Sequence, residues 1–250
     1  MNILLKNRLK RFSPSLYFVA KKIFLFSTKS FQNFIGLDVP RLSWSLNSTF
    51  PSDVELATQL QSPRRAYLAK FICRHLRTDS ICELGTYTGL NLFFLLANST
   101  SITVTGVDIS SRAVAYAEKL LRSYSRSSSY RLLVSKSPFA DTSKYECEAI
   151  LLDAILLYFP HHKVLSSLLH LYKAGIKQVF ISELSFASSA NDSSHFNGHY
   201  FEHNILSIVH HFSELYAIPI AVMDDPGYSR LWDDLPWSTH GKLLLLEFSA

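Results

Sequence analysis

Cysteine is scarce in this 250-residue chain. There are three, Cys73, Cys82 and Cys147, an odd number with no Cys-x-x-Cys spacing. That argues against a disulfide framework or a zinc knuckle and suits a reducing compartment. Glycine (8) and proline (9) are also few, which excludes collagen-like and linker-like chains. No window holds the roughly 18 uninterrupted apolar residues that a membrane span requires. Acidic residues are missing altogether before Asp38. What is present is a composition 48% hydrophobic and 18% charged. That supplies a large core, excludes global disorder and suits one domain with a short appendage.

The basic excess has a location. Residues 1–37 carry seven of the 25 Lys and Arg and none of the 20 acids. The remaining chain is slightly acidic, so the net charge of +5 and the pI of about 9.0 are set by the leader. The leader is also apolar, with Leu16, Tyr17, Phe18, Val19, Ile23 and Phe24 interrupted by Lys21 and Lys22. No small-residue cleavage site follows a clean apolar stretch, so a secretory signal is not expected. The chain is read as a basic amphipathic extension, residues 1–48, before a domain at 49–250. Two readings of the extension stay open. It is a helical cap whose apolar stripe packs on the domain, or residues 1–37 dock on an anionic membrane surface, where each cation adds about 1 kcal/mol. Nucleic acid is not expected as a partner, because the body of the protein is not basic. The expected location is cytoplasmic, with membrane association through the leader as the alternative.

Past residue 53 the hydrophobic period alternates between helical and strand-like. Helices are expected at 53–60, 63–76, 90–97, 112–121, 162–172 and 199–212. Strands are expected at 80–84, 102–108, 130–134, 148–153, 178–183, 216–223 and 242–248. The apolar runs in the fourth and fifth strands lack polar alternation, as in strands covered on both faces. The pattern predicts an α/β fold: a doubly wound, mostly parallel seven-stranded sheet. The last two strands lack a helix-length spacer and form an antiparallel C-terminal hairpin.

The chemistry concentrates in Ser80-Ile-Cys-Glu83-Leu-Gly85-Thr86-Tyr87-Thr-Gly89-Leu-Asn91. A strand ends in an acid, a glycine turn follows, and a helix starts at once. Gly85 permits a sharp turn and close approach of a ligand, and Gly89 lets the helix begin tight against the strand. The next strand ends at Asp108, where a carboxylate can accept hydrogen bonds from both ribose hydroxyls of an adenosine. An acid ahead of the loop suits a cationic cofactor and would repel a pyrophosphate, and no Gly-x-Gly-x-x-Gly run is present. A strand-end aspartate that merely caps the next helix is the bland reading of Asp108; beside Glu83 it is not the one favoured.

These motifs resemble those of the class I S-adenosylmethionine-dependent methyltransferases, over roughly residues 53–250. ELGTYTG is similar to their first motif, GVDIS to their second, and AILLDA (149–154) to their fourth. ELGTYTGLN with the later Tyr158 looks closest to the catechol- and caffeoyl-coenzyme-A-like O-methyltransferase branch. The resemblance implies a Rossmann-like methyltransferase fold and S-adenosylmethionine as cofactor. It implies a cofactor site of Glu83, Gly85, Thr86, Tyr87, Gly89, Asp108, Ile109, Ser137 and Asp153. Two departures stand out: Tyr87 replaces a third glycine, and Ser135-Lys136-Ser137 lacks the acid that often meets the adenine amino group. In the metal-dependent branch Asp153 would be a ligand, followed by a lysine and later by an Asp-Asn pair. This chain has Ile155, Leu156 and Glu183-Leu184 instead, which argues against a divalent metal, and no metal ligands are assigned.

Transfer of a methyl group to a hydroxyl needs an oriented nucleophile and a group to take its proton. The candidates are Asp153 at the end of the fourth strand, His161 and His162 at a helix start, and His195, His199 and Glu202 after the fifth strand. If the helix already includes His195 and His199 they share a face, with Glu202 one turn on. A histidine-rich surface loop with a helix cap is the competing reading. His75, His170, His210 and His211 are read as core-edge residues. Tyr158, Phe159, Phe196, Tyr200, Tyr228 and Trp232 fall near the same edge and would wall an acceptor pocket or simply pack. Asp224, Asp225, Asp233 and Asp234 would meet sugar hydroxyls or cap turns. The expected function is methylation of a small-molecule or sugar hydroxyl by in-line transfer, with a small molecule or glycan precursor as the partner. The alternative is a non-catalytic protein that keeps the fold as a cofactor-binding or scaffold module. Aminopropyl transfer would need a dense acidic groove that the sequence lacks.

Overall fold

A computed structural model describes residues 50–124, 129–185, 195–196, 201–232 and 241–249. The extension at 1–48, and with it both readings of the leader, lies outside the described residues. Among the described residues no helix is long and apolar enough to cross a membrane.

Two helices open the domain. α1 (Asp53–Gln59) starts in a capping box, with the Glu55 N–H donating to Ser52 Oγ and the Ser52 N–H to Glu55 Oε2. α2 (Pro63–His75) has Ser62 as its cap and Pro63 in its first turn, where a missing N–H costs nothing. Its buried residues Leu68, Ala69, Phe71 and Ile72 follow helical spacing and form one apolar stripe.

Strand and helix then alternate: β1 (Ser80–Leu84), α3 (Leu90–Asn98), β2 (Thr103–Asp108), α4 (Ser111–Tyr124), β3 (Tyr130–Val134), β4 (Ala149–Asp153), α5 (His161–Lys173) and β5 (Gln178–Leu184). After them come the short strands β6 (His195–Phe196) and β7 (Phe201–Glu202), then α6 (Ile205–Tyr216), β8 (Ile220–Asp224) and β9 (Gly241–Phe248). Seven strands make one sheet in the order β3-β2-β1-β4-β5-β9-β8. The first five are parallel, and β9 runs antiparallel to both β5 and β8. This is the expected doubly wound sheet with its terminal hairpin.

Alternate residues of the central strands enter two cores. Cys82, Leu84, Ile150, Leu152, Val179 and Ile181 face α5 and α6, while Ile81, Leu151 and Phe180 face α2 and α3. Each fully buried aliphatic side chain contributes about 1.5–3 kcal/mol. Burial on both faces is why these strands read as unbroken apolar runs. The order reverses at β1, so the carboxyl ends of β1, β2 and β4 open on one crevice.

Two expectations are corrected. The helix expected from 199 begins at Ile205, after Asn204 caps it by accepting the Ser207 N–H. Phe201–Glu202 is instead a strand paired with His195–Phe196, with His195 opposite Glu202. The helical-face relation among His195, His199 and Glu202 therefore does not hold, and His199 lies outside the described residues. The strand expected from 216 begins at Ile220, because α6 continues through Tyr216 and stops where Ala217 turns left-handed (φ 52). The apolar run across this junction hides the boundary from hydropathy.

Candidate cofactor and active site

The loop between β1 and α3 is held by backbone groups. The N–H groups of Gly85 and Thr86 donate to Val107 O at 2.7 and 3.1 Å, and Gly89 N–H to Thr86 O at 2.8 Å. Three of its residues have positive φ: Gly85 (81), Tyr87 (46) and Gly89 (76). Tyr87 thus occupies a backbone position that favours glycine, at a cost of about 1–3 kcal/mol. Its N–H donates to Asp108 Oδ2 at 2.9 Å, and the Ser110 N–H donates to Oδ1 at 2.8 Å. Asp108 is nearly buried at the end of β2, and that burial raises its pKa against the pull of these N–H groups.

The two glycines meet different neighbours. A Cβ on Gly89 would lie 2.8 Å from Ala117 Cβ, so glycine is what lets α4 close on the loop. A Cβ on Gly85 would lie 2.7 Å from Ile155 Cδ1. The room expected for a ligand at Gly85 is lined here by the flexible end of Ile155.

Glu83 is turned inward, 2% exposed. Thr86 Oγ1 donates to its Oε2 at 2.8 Å and Asn91 Nδ2 to its Oε1 at 2.6 Å. Burial, with Asp153 nearby, pushes its pKa up to about 8 despite those bonds. Asn91 Nδ2 also donates to Asp153 Oδ2 at 2.8 Å, so one amide links the ends of β1 and β4.

Asp153 is the centre of a second network. Arg64 Nη1 and Nη2 donate to its Oδ1 and Oδ2 at 2.6 and 3.1 Å, a two-pronged clamp. Arg64 Nη1 also reaches Ser182 Oγ and Tyr228 Oη, each at 3.1 Å. Arg65 Nη1 donates to Asn91 Oδ1 at 2.5 Å and lies 3.6 Å from Asp153 Oδ2. Burial alone would raise the Asp153 pKa, but the charge and hydrogen bonds of Arg64 hold it well below the usual carboxylate range. An anion so strongly paired is a poor proton acceptor. One strand over, Glu183 accepts N–H bonds from Leu156, Leu157 and Leu184, and burial beside Asp153 pushes its pKa up to about 8.

No protein-family model matches the sequence, and no curated protein matches it. Solved structures do match. Magnesium protoporphyrin IX methyltransferase from Synechocystis PCC 6803, crystallised with SAH, aligns over 90% of this chain and 99% of its own at 13% identity and a TM-score of 0.53. The methyltransferase domain of bacterial CtHen1 aligns over 75% and 99% at 13% identity and a TM-score of 0.54. Mitomycin 7-O-methyltransferase MmcR aligns over 77% and 55% at 10% identity and a TM-score of 0.56.

The chain has the Rossmann-like methyltransferase fold. At these identities the likeness is one of architecture, and the similar structures span porphyrin, mitomycin and other methyltransferases. The catechol-like branch is not singled out among them.

Within this methyltransferase fold most of the sequence-predicted residues converge. Glu83, Gly85, Thr86, Tyr87, Gly89, Asp108 and Asp153 gather at the carboxyl ends of β1, β2 and β4, joined by the hydrogen bonds above, and half-buried Ile109 follows Asp108. Ser137 is exposed, its N–H on Ser135 Oγ at 3.1 Å, while the Ser135 N–H joins Asp108 O at 3.0 Å. Only the backbones of His195 and Glu202 are described, in the β6–β7 ladder. His161 and His211 share a hydrogen bond at 3.2 Å, whereas His170 and His210 are exposed rather than at the core edge. Among the described residues no group of three or more His, Cys, Asp or Glu could hold a metal ion.

Several site residues were not legible. Arg64 and Arg65 fall at the start of an expected helix, Ser182 inside an expected strand, and His203 inside the helix expected from 199, with no sign of a role. His203 is 1% exposed, and its Nε2 donates to Leu156 O and Phe159 O at 3.2 and 2.9 Å, fixing the turn after Asp153. Phe50 stacks within 5.7 Å of Tyr87 and 4.8 Å of Tyr116, which places it over the loop. No spacing rule connects positions this far apart.

Proposed function

We propose that the chain is an S-adenosylmethionine-dependent methyltransferase acting on a small-molecule or sugar hydroxyl. One observation carries the reading: Asp108 and Glu83 end neighbouring parallel strands, and the Gly85–Gly89 loop between them is bonded to both carboxyls. An ionised carboxylate offers about four acceptor sites. The Tyr87 and Ser110 N–H groups take two of them and the Ile109 N–H also bears on the carboxylate, leaving acceptor capacity for a ribose hydroxyl. Ile109 and Ser137 would flank the adenine, and Thr86, Tyr87 and Gly89 would shape the floor.

The charge inventory supports a cationic donor. Of three buried carboxyl groups, Asp153 pairs with the guanidiniums Arg64 and Arg65 and Glu83 feels Arg65, while Glu183 has only backbone N–H partners and the Asp153 charge nearby. Burial, with the Asp153 charge nearby, raises the pKa values of Glu83 and Glu183, and a sulfonium and amino group bound beside Glu83 would favour its ionised form. When bound, S-adenosylmethionine supplies the methyl group; the residues of this chain bind it, orient the acceptor and exclude water. Asp153 serves by anchoring Arg64 and Asn91. The proton acceptor is assigned to His195, His199 or Glu202, not to Asp153.

Cofactor binding without turnover is the second reading, favoured by the closure of Asp153 against Arg64. Thermal melting with S-adenosylhomocysteine, followed by methyl-transfer assays on a panel of hydroxyl acceptors, separates the two. Ligand at 100 times its dissociation constant stabilises by about 2.7 kcal/mol. Absence of any shift at high ligand would sink both readings; a shift without transfer to any acceptor would favour the second.

A further inference from the structure

Tyr87 holds a backbone position that favours glycine, and nothing in the carboxyl network explains why a ring is kept there. Its φ of 46 lies in the left-handed region, which a large side chain does not choose for itself. The neighbours of the ring supply a reason. Phe50, the first described residue, stacks on Tyr87 with centroids 5.7 Å apart and planes inclined by 18°. The same Phe50 ring stacks on Tyr116 at 4.8 Å and 10°. Arg112 adds its guanidinium, 5.7 Å from the Phe50 centroid. All three rings are half-buried.

The chain around Phe50 is fastened as well. Arg112 and Tyr116 are four apart on α4, so they present one patch to it. Tyr116 Oη donates to Pro51 O at 3.4 Å, which ties the next residue to the same helix. Ser52 then opens the capping box of α1. Residues 50–52 form a strap held on α4 by its first two residues and on α1 by its third. Tyr87 joins this strap to the carboxyl end of β2. It gives its ring to Phe50 and its N–H to Asp108 Oδ2, at 2.9 Å.

We propose that Phe50 is a positioning residue for the adenosine end of the cofactor. It holds Tyr87, and through the Tyr87 N–H the Asp108 carboxylate, in place before the ligand arrives. This inference rests on the S-adenosylmethionine reading of the site. A group already ordered on folding loses little freedom on binding, and the affinity rises by that difference. A glycine at 87 would relax the backbone but remove the ring. The strain at Tyr87 is thus offset by order at the carboxylate assigned to the ribose.

The test is titration calorimetry of the full chain with S-adenosylhomocysteine. Phe50→Ala and Tyr87→Gly should each weaken binding about three- to tenfold, the range that one aromatic pair supports. Phe50→Leu, apolar but without a ring plane, should fall with Phe50→Ala, whereas Phe50→Tyr should keep the parent affinity. The double variant Phe50→Ala/Tyr87→Gly should bind no worse than either single variant, because both remove the same stack. The 2′-deoxyribose analogue of the ligand, which makes less use of Asp108, should lose less from Phe50→Ala than S-adenosylhomocysteine does. Parent affinity in Phe50→Ala or Phe50→Leu, additive losses in the double variant, or equal losses for the two ligands would overturn the proposal. A parent chain that does not bind S-adenosylhomocysteine would overturn the cofactor reading and this inference with it; binding by the parent with unchanged variants overturns the inference alone.

Discussion

Arg64, in the first turn of α2, grips both oxygens of Asp153 at the end of β4, across 89 positions of sequence. The clamp fastens the helical layer to the carboxyl edge of the sheet and turns an expected base or ligand into a buried counter-ion. Ser182 and Tyr228 complete the shell, their hydroxyls 2.8 Å apart.

Removing the cation alone should be costly. Arg64→Ala leaves the Asp153 charge buried without its counter-ion, and breaking a buried pair this way costs about 3–5 kcal/mol. Arg64→Lys keeps the charge but loses the two-pronged geometry, so it should recover only part. Urea unfolding midpoints measure both; an Arg64→Ala midpoint equal to that of the parent would contradict the assignment.

Stability should fall as pH rises. The pKa values of Glu83 and Glu183 are pushed up to about 8, against an ordinary value of 4.5. Between those values the folded chain holds protons that the unfolded chain has released, so stability declines from pH 4.5 to about 8 and then levels. The limiting slope is about 1.4 kcal/mol per pH unit for each proton. Asp153, held low, acts only at more acid pH. Glu183→Gln, uncharged throughout, should flatten the decline by one proton. A level wild-type profile across this window in urea titrations would refute it.

Asp108→Ala should have two effects. Its carboxylate accepts the Tyr87 and Ser110 N–H groups, so its loss leaves buried donors unpaired at about 1–3 kcal/mol. This revises the sequence expectation that Asp108 serves the ligand and not the fold. Affinity for S-adenosylhomocysteine should also collapse, as read by titration calorimetry. Unchanged affinity would remove Asp108 from the ribose position.

Gly89→Ala should be more damaging than Gly175→Ala. Both positions are left-handed, φ +76 and +80, and share the backbone strain of about 1–3 kcal/mol. Only Gly89 adds a clash, with Ala117 at 2.8 Å, while a Cβ on Gly175 meets nothing within 4 Å. Melting temperatures of the two variants decide the comparison; equal losses would mean that α4 yields to the new methyl.

The boundaries of β1 and β3 were legible to the residue, because apolar runs between turn residues have few alternative placements. Gly85 and Gly89 were legible as turn residues for a related reason, since an acid, a glycine and a helix start in succession leave the backbone little choice. Where the pattern was continuous across a junction it misled. The run from Tyr216 to Met223 is apolar throughout, and only the left-handed turn at Ala217 separates helix from strand. At 195–204 the histidines and aromatics fit a helix as well as a ladder, and Asn204 settled the start by capping at the later position.

The sequence by itself determined the doubly wound sheet, the order of its elements and the two strand-end carboxyls at 83 and 108. Those follow from local periodicity and from residues whose φ or charge constrains their own neighbourhood. Only the tertiary structure decided that Asp153 belongs to Arg64, that Asn91 joins Glu83 to Asp153, and that Ile155 covers Gly85. These contacts join groups far apart along the chain. Charge pairing inside a protein is governed by distance and by exclusion of water, and sequence spacing encodes neither.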